Sequence, residues 1–308
     1  LKDSFLEISS NSSGLDEISY SEFKKDLSKN IEAIKLSIIK GTYIPEPLKK
    51  IEINKENSNE KRQIAISSIK DKLIQKVLYI ALRDYFETTF SDKSYAYRKD
   101  KSTLKAINRT SQFINEKYHW ILKTDIDNFF ETINHDKLLK ILDIQISDKR
   151  VIKLISLFIQ IGSFKSYDYF DHYQGVHQGD ILSPLLSNIY LDLMDRFLEK
   201  IEVLHIRYAD DFVVFLKEQQ EAIKTKQLLD EFLKTLDLSL GEDKTKITHV
   251  KDGYCKIISK NSGKALEYNS GAGVNGANVY QNAWNGKNNQ LWKVISVAGN
   301  YYIQTKNG

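Results

Sequence analysis

Apolar residues recur at helical spacing through much of the first 250 residues. Leu27, Ile31, Ile34 and Ile38 share one helical face, and the pattern stops at Gly41; Val151, Leu154, Ile155 and Phe158 do the same and stop at Gly162. A further helix is predicted from Ser183 and Pro184, a hydroxyl at the N-cap and proline at the first helical position, with Leu186, Ile189, Leu193 and Phe197 on its buried face. Extended runs lie between the helices. Trp120 to Thr124 is predicted to be a strand, giving way to helix from about Asn134. Residues 203–208 and 212–216 are rich in β-branched and aromatic side chains, which predicts a hairpin with Ala209, Asp210 and Asp211 in its turn.

The pattern changes near residue 251. The last 58 residues hold eight of the 14 glycines, two of the three tryptophans and none of the three prolines. Helical periodicity gives way to short β-prone runs between Gly/Asn turns, so residues 251–308 are predicted to form a separate all-β segment after a first domain of residues 1–250.

Two adjacent aspartates at a hairpin tip repel one another unless a cation neutralises them. Asp125 stands where the predicted 120–124 strand ends. If that strand neighbours the hairpin in one sheet, Asp125, Asp210 and Asp211 converge, the arrangement that two-metal phosphoryl transfer requires. The plainer alternatives are a solvated Asp-Asp turn and a helix-capping Asp125. Asp127 points to the other face of an extended chain and is expected to be a capping or surface residue.

Several blocks, in order, resemble the reverse transcriptase family, in particular its bacterial group II intron-like branch. SSGLDEISYSEFKKDL and IKGTYIPEPLKKIEINKENSNEKRQIAISSIKDKLIQKVL look like the fingers, and FSDKSYAYRKDKSTLKAI like the next block. KTDIDNFF resembles the first palm motif and GVHQGDILSPLLSNIYL the Gln-Gly block; RYADDFVVF resembles the metal-binding hairpin and LSLGEDKTKI the last palm segment. The resemblance implies an α+β fold of fingers and palm, with an antiparallel palm sheet packed on helices. It implies an RNA-directed DNA polymerase that adds dNTPs to a primer 3′-OH on an RNA template, with a DNA or RNA primer and two Mg²⁺ or Mn²⁺ ions.

By the same resemblance Asp125, Asp210 and Asp211 hold the metals, and Lys244 protonates the leaving pyrophosphate. Phe130 excludes a ribose 2′-OH, although Phe129 and Phe130 are also candidates for the core. Gln178 and Gly179 line the nucleotide; His177 replaces the usual proline ahead of them, a change expected to alter loop rigidity more than chemistry. Lys55 and Arg62 clamp the triphosphate, for which Arg offers fork geometry, and Arg98 with Tyr95 and Tyr97 contacts template or primer. Past Val250 neither a primer-holding hairpin nor a helical thumb can be identified.

The tail resembles a ricin-type β-trefoil lectin through Gln290, Leu291 and Trp292 and the turns Asn275-Gly276 and Asn285-Gly286. It contains one repeat unit and the start of another, where a trefoil needs three, so an incomplete β-trefoil is expected. Gln290 and Trp292 are expected in the core, leaving Asn289 as the best-matching sugar contact. A competing reading is therefore a catalytically weak RNA- or glycan-binding protein that retains the palm, with a glycan or another protein as partner of the tail.

Charge is neutral on this choice. The whole chain carries +4, of which the last 58 residues carry +5, so residues 1–250 carry −1 and their cations must act locally. No stretch approaches 18 uninterrupted apolar residues, which argues against a membrane span. Cys255 is the only cysteine, which excludes an intrachain disulfide and points to the cytosol. The chain opens at Leu1 rather than Met, so upstream family segments are expected to lie outside this sequence.

Overall fold

The computed structural model describes residues 1–8, 12–54, 61–165, 168–250, 265–268, 279–283, 285, 287, 290–297 and 300–305. The chain begins with α1 (Lys2–Leu6), α2 (Tyr20–Lys25) and α3 (Leu27–Ile39), followed by strands β1 (Leu48–Asn54) and β2 (Lys61–Ile66). Next come α4 (Ile69–Glu87), α5 (Thr103–Asn115), β3 (Trp120–Thr124), α6 (Phe129–Thr132), α7 (His135–Gln145) and α8 (Lys149–Gln160). The short strands β4 (Ser163–Lys165) and β5 (Asp168–Phe170) lead to α9 (Ser183–Lys200), the pair β6 (Leu204–Tyr208) and β7 (Asp211–Leu216), α10 (Gln219–Thr235) and β8 (Lys246–His249).

Helix starts follow capping chemistry. Ser19, Ser68, Ser102, Asn134 and Asp148 each accept a backbone N–H of the first turn, satisfying a donor that has no partner within the helix. Gly41, just past α3, takes φ +69, which a residue without a Cβ adopts freely. Ser183 departs from the predicted cap. It is the first helical residue of α9, and its hydroxyl donates instead to the carbonyl of His177 at 2.8 Å, tying the helix to the preceding loop.

Two four-stranded sheets organise the main body. The first has the order β2-β1-β4-β5, with β1 and β4 parallel. The second, wholly antiparallel, runs β6-β7-β3-β8. One face of the second sheet buries Leu122, Phe212, Val214 and Leu216 in the main core with Leu186, Ile189, Leu191 and Met194 of α9. The other face buries Ile206 and Phe215 against Ala106 and Phe113 of α5, where the Phe113 and Phe215 rings lie 5.1 Å apart. Burial on both faces explains why β7 lacks polar alternation: each fully buried Phe side chain favours folding by about 1.5–3 kcal/mol.

The mixed α/β architecture with sheets packed on helices is as predicted. In the tail the described residues form two antiparallel pairs, β9 (Ala265–Tyr268) with β10 (Val279–Asn282) and β11 (Trp292–Val297) with β12 (Asn300–Thr305). They do not themselves assemble a three-unit trefoil. Gln290 and Trp292 are buried, and the Gln290 side chain accepts from Asn285 N–H at 2.7 Å and donates to the Ala283 carbonyl at 2.8 Å. Among the described residues no helix is long and apolar enough to cross a membrane.

Candidate active site

The second sheet brings Asp125 to the hairpin tip. The ladder between β3 and β7 ends at the pair Thr124–Phe212, so Asp125, which follows Thr124, and Asp211, which precedes Phe212, flank the same end on neighbouring strands. Tyr208 pairs with Asp211, which leaves a two-residue turn of Ala209 and Asp210 rather than the three residues predicted. Ala209 holds that turn at φ +58, a left-handed conformation that costs a residue with a Cβ about 1 kcal/mol.

The three carboxylates sit in graded environments. Asp125 is buried, Asp210 half-buried and Asp211 exposed. Burial raises the Asp210 carboxyl above its usual range, and the negative charges of Asp211 and Asp125 add to the effect while Lys244 opposes it. The Lys244 ammonium donates to Asp125 Oδ2, and this bond together with the surrounding carboxylates raises the lysine pKa. Asp125 Oδ1 is buried with no hydrogen-bond partner. A Cβ on Gly241 would come within 2.3 Å of that oxygen, so a larger residue there would have to displace the Asp125 carboxylate.

Among the described residues no three His, Cys, Asp or Glu side chains form a ready-made metal cage. The donor set nevertheless fits a hard cation: an orphaned buried carboxylate oxygen on Asp125, a neighbouring carboxylate in Asp210 and a compensating ammonium beside them. Mg²⁺ needs only one or two carboxylates when substrate phosphates and water supply the remaining oxygens.

An open cleft of about 1330 Å³ runs from Asp210 to β2 and is lined by Arg62, Tyr97, Phe130, Gln178 and Gly179. Phe129 is buried and Phe130 half-buried, so the neighbouring rings divide between core and cleft. Arg62 is exposed near the start of β2. The Gln178 carbonyl accepts from Ala65 N–H at 2.8 Å, docking the loop ahead of α9 onto the same strand. His177 packs this loop inward: its buried ring donates to the Ile161 carbonyl at 3.1 Å and stacks on His172 at 3.9 Å, and burial lowers its pKa to about 3. Gly179 has φ +111, and a Cβ there would stand 2.5 Å from the Ala65 carbonyl oxygen. Gly179→Ala is expected to push the loop off β2, cost about 1–3 kcal/mol of stability and raise the KM for the incoming nucleotide about tenfold with a smaller change in kcat. Steady-state kinetics against nucleotide concentration and a thermal melt check both parts.

Two predicted contacts are corrected. The Arg98 side chain is 3% exposed; it donates to Glu87 Oε1 from Nε at 3.1 Å and from Nη2 at 2.9 Å, and from Nη1 to the carbonyls of Ser91 and Ser94. With its guanidinium also over the Phe90 ring, it is an internal clip rather than the exposed side chain a nucleic-acid contact needs. Tyr95 is likewise turned inward, buried with Lys101 over its ring. Tyr97 is the member of that trio that reaches the cleft; it is held at φ +59 with about half its surface exposed, and the partial burial of its hydroxyl together with the charge of Asp210 raises its pKa. Asp127 is exposed, as predicted. Lys55 and Asn289 lie outside the described residues.

Sequence reasoning missed Asp180, Ser67 and Gln75 behind the Gln178 loop, and Asn188, Asp195 and Arg207 beneath the hairpin. The signal for Asp195 was its spacing from Leu191 and Leu198, which puts a charge in step with buried positions of α9. These two leucines, with Met194, are fully buried, whereas the predicted face positions Leu193 and Phe197 are only partly so.

The family model described as reverse transcriptase (RNA-dependent DNA polymerase) matches residues 53–279, reaching past the composition change near residue 251. The group II intron-encoded protein LtrA of Lactococcus lactis subsp. cremoris is 32% identical over 222 residues, which is 71% of this chain and 36% of that protein. Protein YkfC of Escherichia coli (strain K12) is 28% identical over 295 residues, covering 81% of this chain and 76% of its own length. A chain of the partial Cas6-RT-Cas1--Cas2 complex aligns with a TM-score of 0.46 at 25% identity, covering 76% of this chain and 39% of that one. This chain thus spans about a third of the length of LtrA.

Proposed function

Because the chain belongs to the reverse transcriptase family, its matched region covering residues 53–279, we propose that it is an RNA-directed DNA polymerase. The observation that carries the reading is the meeting of Asp125, Asp210 and Asp211 at one end of an antiparallel sheet, with Arg62, Phe130 and Gln178 around the adjoining cleft. In the reaction the primer 3′-oxygen forms a bond to the α-phosphorus of a dNTP, the bond from that phosphorus to the bridging oxygen breaks, and pyrophosphate leaves.

Asp125 and Asp210, assisted by Asp211, would hold two divalent cations, Mg²⁺ with Mn²⁺ as the alternative. When bound, such ions supply Lewis acidity to the 3′-hydroxyl and charge stabilisation to the leaving oxygen. Arg62 meets the triphosphate in fork geometry, Gln178 hydrogen-bonds the nucleotide, and Tyr97 closes the cleft beside Asp210. Lys244 carries a proton while bonded to Asp125. Turned from Asp125 to the leaving pyrophosphate, the ammonium would be the group that protonates it. The partners are accordingly an RNA template, a DNA or RNA primer and dNTPs.

The test is dNTP incorporation by the purified chain on an oligo(dT)-primed RNA, with Asp210→Asn as control; no incorporation, or equal incorporation by the variant, removes the reading. Phe130, half-buried at the cleft wall, is read as the sugar gate. Phe130→Val is expected to reduce discrimination against NTPs about 10–100-fold, measured as the ratio of kcat/KM for dNTP and NTP. An unchanged ratio would leave Phe130 a core residue.

For the tail the proposal is an incomplete trefoil-like unit in which Gln290 and Trp292 are core, supported by their burial and the internal bonds of Gln290.

A further inference from the structure

Directly beneath the hairpin tip, a charged network is sealed from solvent. Neither Arg207 of β6 nor Asp195 of α9 has any exposed side-chain surface (0%/0%). Arg207 Nε donates to both Asp195 oxygens at 3.0 Å, and Nη2 donates to Oδ2 at 2.6 Å. Nη1 donates to Asn188 Oδ1 at 2.9 Å and to the Ala209 carbonyl at 3.0 Å. His205 adds a bond to Asp195 Oδ1 at 3.2 Å, and the Asn188 amide donates to the Ala96 carbonyl at 2.9 Å. Burial alone would push the Asp195 carboxyl up, but the Arg207 charge and the bonds from His205 and Arg207 hold it at about 2, so the pair is ionised.

We propose that Asp195 and Arg207 are positioning residues for the metal-binding turn: anchored on α9, the guanidinium grips the carbonyl of left-handed Ala209 and sets the direction in which Asp210 leaves it. The inference rests on the polymerase reading of that turn. A buried ion pair stabilises a fold little more than apolar residues of the same volume, so stability alone does not account for it. What an apolar replacement lacks is a donor for the Ala209 carbonyl. The Arg207 backbone is fixed as well, accepting from Tyr95 N–H and donating to the Lys93 carbonyl, both at 2.9 Å. The network therefore clamps α9, β6 and the segment before Tyr97 into one base, and both Tyr97 and Asp210 face the cleft from it. A carboxylate that must meet a cation and a phosphate needs such a base, because misplacement by about 1 Å can cost on the order of 10²-fold in rate.

Three variants separate positioning from packing. Arg207→Lys keeps the charge, but one ammonium cannot span Asp195, Asn188 and Ala209 as a fork does. The pair Asp195→Asn/Arg207→Met removes both charges, so no buried ion is orphaned if the lysine variant fails to fold. His205→Gln disturbs Asp195 without touching the turn. Mn²⁺ binding by the protein alone, followed by electron paramagnetic resonance, is expected to weaken about tenfold in Arg207→Lys and in the pair, with kcat lowered about 10–100-fold. Primer–template affinity should be unchanged, and His205→Gln should match the parent in both readouts. Parent-like Mn²⁺ binding in the pair, an equal loss in His205→Gln, or no Mn²⁺ binding by the parent would overturn the inference. A parent that binds Mn²⁺ but incorporates no dNTP removes the polymerase reading instead, and the comparison among variants still decides the role of Arg207.

Discussion

Asparagine at position 125 or 210 is expected to lower the rate of nucleotide incorporation at least about 10³-fold, equivalent to ~4 kcal/mol of transition-state stabilisation. The same change at 211 should cost about tenfold, or ~1.4 kcal/mol. The ordering follows from the environments. Asp125 is buried with an unpartnered oxygen and Asp210 half-buried, so the field of each is weakly screened; Asp211 is exposed and water replaces part of what it offers. Stability should move the other way. Burial and like charges raise the Asp210 pKa, so its ionised form opposes folding at neutral pH, and Asp210→Asn should melt no lower than the parent. Asp125→Asn breaks the ion pair with Lys244, whose side chain is 70% exposed, so little stability goes with it. Single-turnover incorporation and thermal melts on the same preparations check both halves. Loss of activity together with a lowered melting temperature in Asp210→Asn would point to disrupted folding instead of a lost ligand.

The meeting of the acids at the sheet end was legible in the sequence because it depends on local order. Strands 120–124 and 212–216 declare themselves by composition, and acids placed at strand ends need only strand adjacency to meet. Pairing of β3 with β7 supplied that adjacency. Caps were less legible: Ser183, the predicted N-cap of α9, is its first helical residue and donates to the His177 carbonyl instead. Arg98 was misread because exposure was assumed from a basic, tyrosine-rich run, whereas Glu87 and two backbone carbonyls enclose it. Arg207 went unrecognised for the opposite reason. The charge that opens RYADD looks solvent-facing until a distant element supplies its counter-ion, and Asp195 arrives from α9. Burial of a charge belongs to tertiary structure, and only the helical spacing of Asp195 with Leu191 and Leu198 foreshadowed it.

A second large effect is expected from pH. Asp180, next to Gly179, is buried; the Ser67 hydroxyl donates to its Oδ1, and Ile181 N–H donates to Gln75 Oε1 at 2.9 Å beside it. Burial raises its carboxyl from 3.8 to about 6, outweighing the lowering by bonds from Ser67 and Gln75. Between those two values the folded state binds a proton that the unfolded chain does not. The contribution to stability is therefore fully present below pH 3.8 and is lost as pH rises through about 6. Its size is about 3 kcal/mol, from 1.36 kcal/mol per pKa unit.

The bulk profile of the protein will not display this directly. Burial lowers His172 to about 4 and His177 to about 3, and each of these contributes stability that is present above 6.5 and lost as pH falls. The difference between parent and Asp180→Asn isolates the carboxyl. An amide keeps an acceptor for Ser67 but cannot ionise, so the variant should gain on the parent by up to about 3 kcal/mol between pH 4 and pH 8. Urea unfolding at a series of pH values measures the gap. A constant difference across that range would mean that Asp180 stays ionised in the folded protein and that the loop carrying Gln178 rests on a charged, not a neutral, support.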